Sequence, residues 1–223
     1  MRPRAAARSA DVKEVPTLVH ALTRLLRKNA APPRPELERR TLWMVQVASS
    51  AAQAGMLVLA LVWAIEARGG TREVGAVLAA GLLAVAGLTR PAALLAERAS
   101  RRGVIVTAHL AAGGWLLALL AWAPKSLWRA IALSAAAGAG RALVDAASLA
   151  IVHHHTDDGR TRGALADLTD RHALGNLFGL AAILPLAVEA GGTAAGVVAA
   201  GASALAAVLA LPLHPVLDAP SET

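Results

Sequence analysis

The sequence predicts an all-α integral membrane protein: a six-transmembrane-helix bundle behind a basic amino-terminal tail that holds an amphipathic interfacial helix. Three observations predict it. Of 223 residues, 56% are hydrophobic but only 3% aromatic, and the mean hydropathy is +0.53, so Ala, Leu, Val and Gly carry the apolar content, as in helices in lipid. Charges gather in short islands between uncharged runs of membrane-spanning length. The islands alternate between Lys/Arg-rich and Lys/Arg-poor along the chain, as the positive-inside rule requires.

The net charge of +7 does not imply nucleic acid, because the cations sit between hydrophobic runs and do not line one soluble face with aromatics interleaved. The chain has no cysteine, which removes disulfides and thiolate metal sites. No apolar h-region precedes Thr41, so a secretory signal peptide is not expected and the first spanning helix is expected to direct insertion.

Residues 1–40 read as a cytoplasmic tail. After Pro16, a residue suited to a helix start, Leu18, Val19, Leu22, Leu25 and Leu26 recur at helical spacing with Arg24, Arg27 and Lys28 at the basic end. That pattern suits a helix lying on an anionic membrane surface, or one docking a partner. The run Ala31-Pro32-Pro33-Arg34-Pro35 ends it. The bundle then occupies residues 41–213, and 214–223 form a carboxy-terminal tail.

Segment one is Thr41 to Ile65, with Gln46 and Gln53 as its strongly polar interior residues. Segment two, Val74 to Ala96, carries glycines at 75, 81 and 87 that allow close helix approach. Gly103 to Ala123, Leu127 to Val152, Ala164 to Ala190 and Thr193 to Leu213 follow. The fifth is the least apolar at its start, where Asp167, Asp170, Arg171 and His172 stand. Six spans put both termini on one side. Seventeen Lys/Arg fall on that side and four in the opposite connections, with Arg141 left inside the membrane. Both termini are therefore expected in the cytoplasm. Trp43 is expected at the inner membrane edge and Trp63, Trp122 and Trp128 at the outer edge, whereas Trp115, mid-segment, is expected to pack. Two three-helix units of opposite orientation, one to three and four to six, are compatible with this order.

Three regions resemble a known family. Ala93-Leu94-Leu95-Ala96-Glu97-Arg98-Ala99-Ser100-Arg101-Arg102 resembles the small-x-x-x-Asp-Arg-x-x-Arg-Arg loop that joins helices two and three in the major facilitator superfamily, with Ala93 in place of Gly and Glu97 in place of Asp. Gly138-Ala139-Gly140-Arg141-Ala142-Leu143-Val144-Asp145-Ala146-Ala147 is similar to the glycine-containing helix four and "Asp-Pro-Ala" of its drug- and siderophore-exporting members. Arg160-Thr161-Arg162-Gly163-Ala164 and Asp170 to Gly179 resemble the loop and glycine-spaced start of helix five. The resemblance spans about residues 41–213 and implies the amino-terminal six-helix half of that fold, in a bacterial-type inner (plasma) membrane. Helix one has Gln53 near the place where exporters often carry an acid.

The resemblance implies a half-size transporter, exporting a small amphipathic or anionic molecule by proton-coupled alternating access, that needs a second six-helix bundle: a homodimer or a separate partner chain. In it, Glu97, Arg98, Arg101 and Arg102 would latch a cytoplasmic gate. The plainer reading makes those arginines topology anchors reaching lipid phosphates. Arg141 and Asp145, four residues apart on one helix face, form either a self-neutralising ion pair or a pathway site in which Asp145 is the proton-responsive group and Arg141 contacts anionic substrate or releases Asp145 on protonation. Gln46, Gln53 and Asn176 would line that pathway or bridge helices. The alternative function is a non-transporting membrane subunit, scaffold or truncated remnant.

His153-His154-His155-Thr156-Asp157-Asp158 offers metal-ligating types, but consecutive histidines point apart on a helix. Contact with a helix C-terminus and lipid headgroups explains them better, and no metal is expected. Ser49, Ser50, Ser134, Ser148 and Ser203 read as hydroxyls that bond back to their own backbone. With no nucleotide loop, HExxH, nucleophile elbow or CxxC, neither enzymatic function nor a cofactor is expected.

Overall fold

The computed structural model describes residues 35–67, 70–122, 126–155 and 161–213. The amphipathic run Thr17 to Asn29 and the carboxy-terminal tail lie outside the described residues. Six helices follow one another: α1 (Pro35–Glu66), α2 (Thr71–Arg98), α3 (Arg101–Trp122), α4 (Leu127–His155), α5 (Thr161–Glu189) and α6 (Gly191–Ala210). All six are long and apolar enough to cross a membrane, and we read the chain as an integral membrane protein.

Local chemistry sets the junctions. The Glu73 carboxylate accepts a hydrogen bond from the Gly70 N–H at 2.7 Å, satisfying a donor at the start of α2. Only Ala99 and Ser100 separate α2 from α3. The Gly103 N–H donates to Ser100 Oγ at 3.3 Å, and the Val104 N–H donates to the Ser100 carbonyl at 2.9 Å. Ser100 is thus the N-cap of α3. Ser100→Ala is expected to lower stability by about 1 kcal/mol, read as faster amide hydrogen exchange at Gly103. Between α5 and α6, Gly191 takes φ 85°, a conformation that favours glycine.

α1 packs chiefly on α5 and also on α6 and α4, whereas α2 packs chiefly on α4; α3 lies against α6 and α4. This set of pairings is unchanged when α1, α2 and α3 are exchanged with α4, α5 and α6. Glycine makes the two principal contacts possible. A Cβ built on Gly175 would fall 2.5 Å from the carbonyl oxygen of Val47 on α1, and one on Gly179 would fall closer still to that of Ala51. On the other pair, a Cβ on Gly138 of α4 would overlap the Gly81 carbonyl of α2. Ser134 Oγ donates to the Val77 carbonyl beside it at 2.7 Å. Helices whose backbones approach this closely are held by van der Waals contact, the means available where lipid is as apolar as leucine.

Two apolar clusters fill the interior. One contains Met56, Leu59, Trp63, Val77, Leu116, Leu133 and Ile183. The other, at the end where α1 begins, contains Leu42, Val45, Val104, Ile105, Ala147, Val152 and Leu213. Between them in chain order lie Gln46, Ser49, Ser50, His109 and Ser203, all buried, and Ser148 is buried beside Ala147 of the second cluster. A polar layer therefore sits between two apolar ones.

Trp115 departs from expectation, and Trp63 lies inside the bundle. Trp63 is buried under the Arg129 guanidinium, 3.7 Å from its ring centroid. The cation stacks on the indole face, and the ring sits one turn from the end of α1, beside Gly192 at the start of α6. Trp115 is half exposed, because α3 buries the face that runs through Ala108, His109, Ala112, Gly113 and Leu116 and position 115 lies off it. Trp122 and Trp128 are exposed near the opposite end from Leu42, as a membrane-edge position requires.

Candidate polar site within the bundle

The site begins with a stripe on α1. Gln46, Ser49, Ser50 and Gln53 recur at i, i+3, i+4 and i+7, so all four fall on one helix face, and all four are buried. α5 is brought onto that face by Gly175 and Gly179, which places His172, one turn before Gly175, beside it.

His172 joins three helices. The Gln46 amide Nε2 donates to His172 Nε2 at 2.6 Å, and His172 Nδ1 lies 2.9 Å from Ser50 Oγ. With Nε2 accepting, the ring proton resides on Nδ1 and is donated to Ser50. Ser148 of α4 donates to Gln46 Oε1 at 2.9 Å. Asp145 Oδ1, one turn earlier on α4, is 3.3 Å from His172 Nε2. Asp145 Oδ2 is 3.4 Å from Arg141 Nε. A second imidazole, His109 of α3, is buried with its Nε2 2.7 Å from Ser49 Oγ.

The arrangement is closed on one side and open on the other. Gln46, Ser49 and Ser148 are buried, yet the Arg141 side chain is 46% exposed and that of Asp145 36%. Charges in the middle of a spanning helix do not face lipid without cost, so this opening points toward water or another polypeptide.

Of the residues singled out from sequence, the structure brings Gln46, Arg141 and Asp145 into one cluster. Gln53 continues the α1 stripe two turns further. Asn176 is half-buried one turn beyond His172. No hydrogen bond joins Gln53 or Asn176 to the cluster among the described residues. The charged start of α5 also resolves: Asp167 and Arg171 form an i,i+4 ion pair, which neutralises both, and His172 turns inward.

The segment from Ala93 to Arg102 stands apart from this site. Glu97 and Arg98 end α2 and are exposed, while Arg101 is buried at the start of α3. Arg102 Nη1 donates to the Leu211 carbonyl at 3.1 Å and reaches that of Leu213 at 3.5 Å. Arg102 thereby satisfies carbonyls at the C-terminus of α6 and clasps α3 to it within one bundle. Of the histidine run, His153 is exposed, and Asp157 and Asp158 lie outside the described residues. No group of three or more His, Cys, Asp or Glu able to hold a metal ion occurs among the described residues.

Sequence reasoning missed His172 and His109 and took the serines for backbone-bonded hydroxyls. Three of them, Ser49, Ser50 and Ser148, bond other helices' side chains, and Ser134 bonds another helix's backbone. The available signal was the period of the α1 stripe, together with two histidines inside apolar spans. Comparison of the chain with family models, curated proteins and solved structures gives no match. Fold and site define a membrane protein with six candidate spanning helices among the described residues and an ionisable polar layer.

Proposed function

We propose that this chain is a half-size membrane transporter of the major facilitator type, which moves a small amphipathic or anionic molecule outward by alternating access, coupled to proton movement. The observation that carries the reading is the Arg141–Asp145–His172 cluster, set between apolar layers and open at membrane depth. A buried ionisable cluster is costly in a span and is the usual mark of a substrate or proton pathway. The exchange of helices one to three with four to six, which leaves the packing unchanged, supports an inverted repeat. The opening at Arg141 and Asp145 supports a second bundle, most simply a second copy of this chain, facing that side. The charge count supports cytoplasmic termini, and the family resemblance supports a bacterial inner membrane. Glu97 and Arg98, exposed at the same end, remain available to meet the second bundle.

Asp145→Asn tests the reading in proteoliposomes. The amide preserves a hydrogen-bonding oxygen for Arg141, so the protein is expected to fold, while proton-driven flux is expected to drop at least a hundredfold because the carboxylate is gone. Full flux in that variant would remove the coupling role. Failure of the pure wild-type protein to move any solute, with a stoichiometric partner recovered on purification, would instead establish a scaffold subunit.

A further inference from the structure

We propose that Arg141, Asp145 and His172 form a site that takes one small carboxylate anion and one proton together, the anion on Arg141 and the proton on His172 Nε2. The proposal deepens the transporter reading by naming its substrate class and rests on that reading for its physiological use. The binding event itself belongs to the purified chain.

Charge and geometry lead there together. With His172 neutral, Arg141 and Asp145 cancel and the cluster carries no net charge. In that state the lone pair of His172 Nε2 faces Asp145 Oδ1 at 3.3 Å. That carboxylate oxygen is buried and has no hydrogen-bond partner. An ionised oxygen opposed by a lone pair lacks a proton between them.

A proton arriving on Nε2 fills the gap. Nε2–H donates to Asp145 Oδ1, and the Gln46 amide, which has lost its acceptor, turns over. Its Oε1 then faces the imidazolium, and its Nε2–H donates to Ser148 Oγ, which changes from donor to acceptor. Ser50 keeps its hydrogen bond from Nδ1–H. The Ser148 hydroxyl proton, released from Gln46, can turn back to a carbonyl of its own helix.

Asp145 is now balanced by the His172 cation, and Arg141, at the open side, is left with an uncompensated charge. A guanidinium presents a planar fork that matches a carboxylate. Binding one monovalent carboxylate restores zero net charge at membrane depth, where any residual charge is costly. Proton and anion therefore favour each other's binding, and by linkage each raises the affinity for the other equally.

The groups that face His172 are few. α1 presents neutral Gln46 and Ser50, and α4 presents Asp145 and Arg141. α6, from Gly191 to Ala210, contains no ionisable side chain, and on α5 the nearby Asp167 is tied to Arg171. Asp145 and Arg141 are thus the charged groups set against His172, whose imidazole is the side chain suited to a proton switch.

Benzoate is the probe, with the full chain in nanodiscs. Calorimetric titration and a pH-indicator dye in weakly buffered solution should show about one proton taken up per benzoate bound. Affinity should fall about tenfold per pH unit on the alkaline side of the His172 ionisation. Asp145→Asn should bind benzoate equally at acid and alkaline pH with no proton uptake, because Arg141 is then uncompensated throughout. His172→Gln should lose at least tenfold in affinity at acid pH and all pH dependence. Benzoate binding with no proton uptake by the wild-type protein would overturn the proposal, as would a failure to bind at any pH, and neither result depends on a variant folding. Proton-linked binding without flux would sink the transporter reading alone. Flux of another solute, with no proton-linked benzoate binding, would sink this inference alone.

Discussion

Gly179→Leu is expected to lower the stability of the bundle by about 3 kcal/mol, the upper range for overpacking a close contact. The reason is geometric. Even a Cβ at Gly179 would overlap the Ala51 carbonyl and lie 2.9 Å from the Ala54 Cβ, and those are backbone and first side-chain atoms that cannot swing away. α5 would have to withdraw from α1, breaking the hydrogen bonds from His172 to Gln46 and Ser50 along with the packing. Gly75→Leu is the matched control, since no heavy atom lies within 4 Å of the corresponding Cβ. It should be neutral or gain up to about 1 kcal/mol from helix propensity. Denaturant titration in mixed micelles, followed by tryptophan fluorescence, reads both variants. Equal stability of the two would show that α1 and α5 do not approach as described.

Arg141→Leu is expected to destabilise by about 2.5–3.5 kcal/mol, the insertion cost of a charged side chain at the middle of a span. Its removal leaves Asp145 without its i,i+4 partner. The cost should be largest at alkaline pH, where His172 is neutral and cannot replace the guanidinium. It should shrink as pH falls and the imidazolium takes over. The double variant Arg141→Leu/Asp145→Leu removes both charges and should recover most of the loss, although it carries neither proton nor anion. The same micelle titration over a pH series decides the matter. A double variant no more stable than the single one would mean that the pair is held by water or a partner and not by its own neutrality.

The helices were legible because hydropathy and length alone define a span. Each of the six lies within a few residues of its sequence-based position. The glycines at 138, 175 and 179 were legible as small residues but not as contacts, since which helix they meet depends on tertiary placement. Arg141 with Asp145 was readable from i,i+4 spacing, a local rule. His172 was not, because its partners Gln46, Ser50 and Asp145 come from α1 and α4, more than twenty residues away along the chain. Its charged neighbours Asp167, Asp170 and Arg171 also made it look like a membrane-edge residue. Arg102 looked like part of a gate facing another bundle, and its hydrogen bonds to Leu211 and Leu213 depend on where α6 ends, which no motif records.

The depth of the polar layer has an electrical consequence. Asp145 stands eighteen residues from the start of α4 and ten from its end, about 27 Å and about 15 Å along the axis at the α-helical rise. A lone charge reaching the layer from the nearer end would cross roughly a third of the distance over which a membrane voltage drops, and from the farther end roughly two thirds. A full crossing is worth about 2.3 kcal/mol per elementary charge at 100 mV, so the two routes would be biased unequally by voltage. A proton accompanied by a monovalent anion escapes that bias. Such a cargo would respond to concentration and pH differences, and clamping the voltage should leave its flux unchanged.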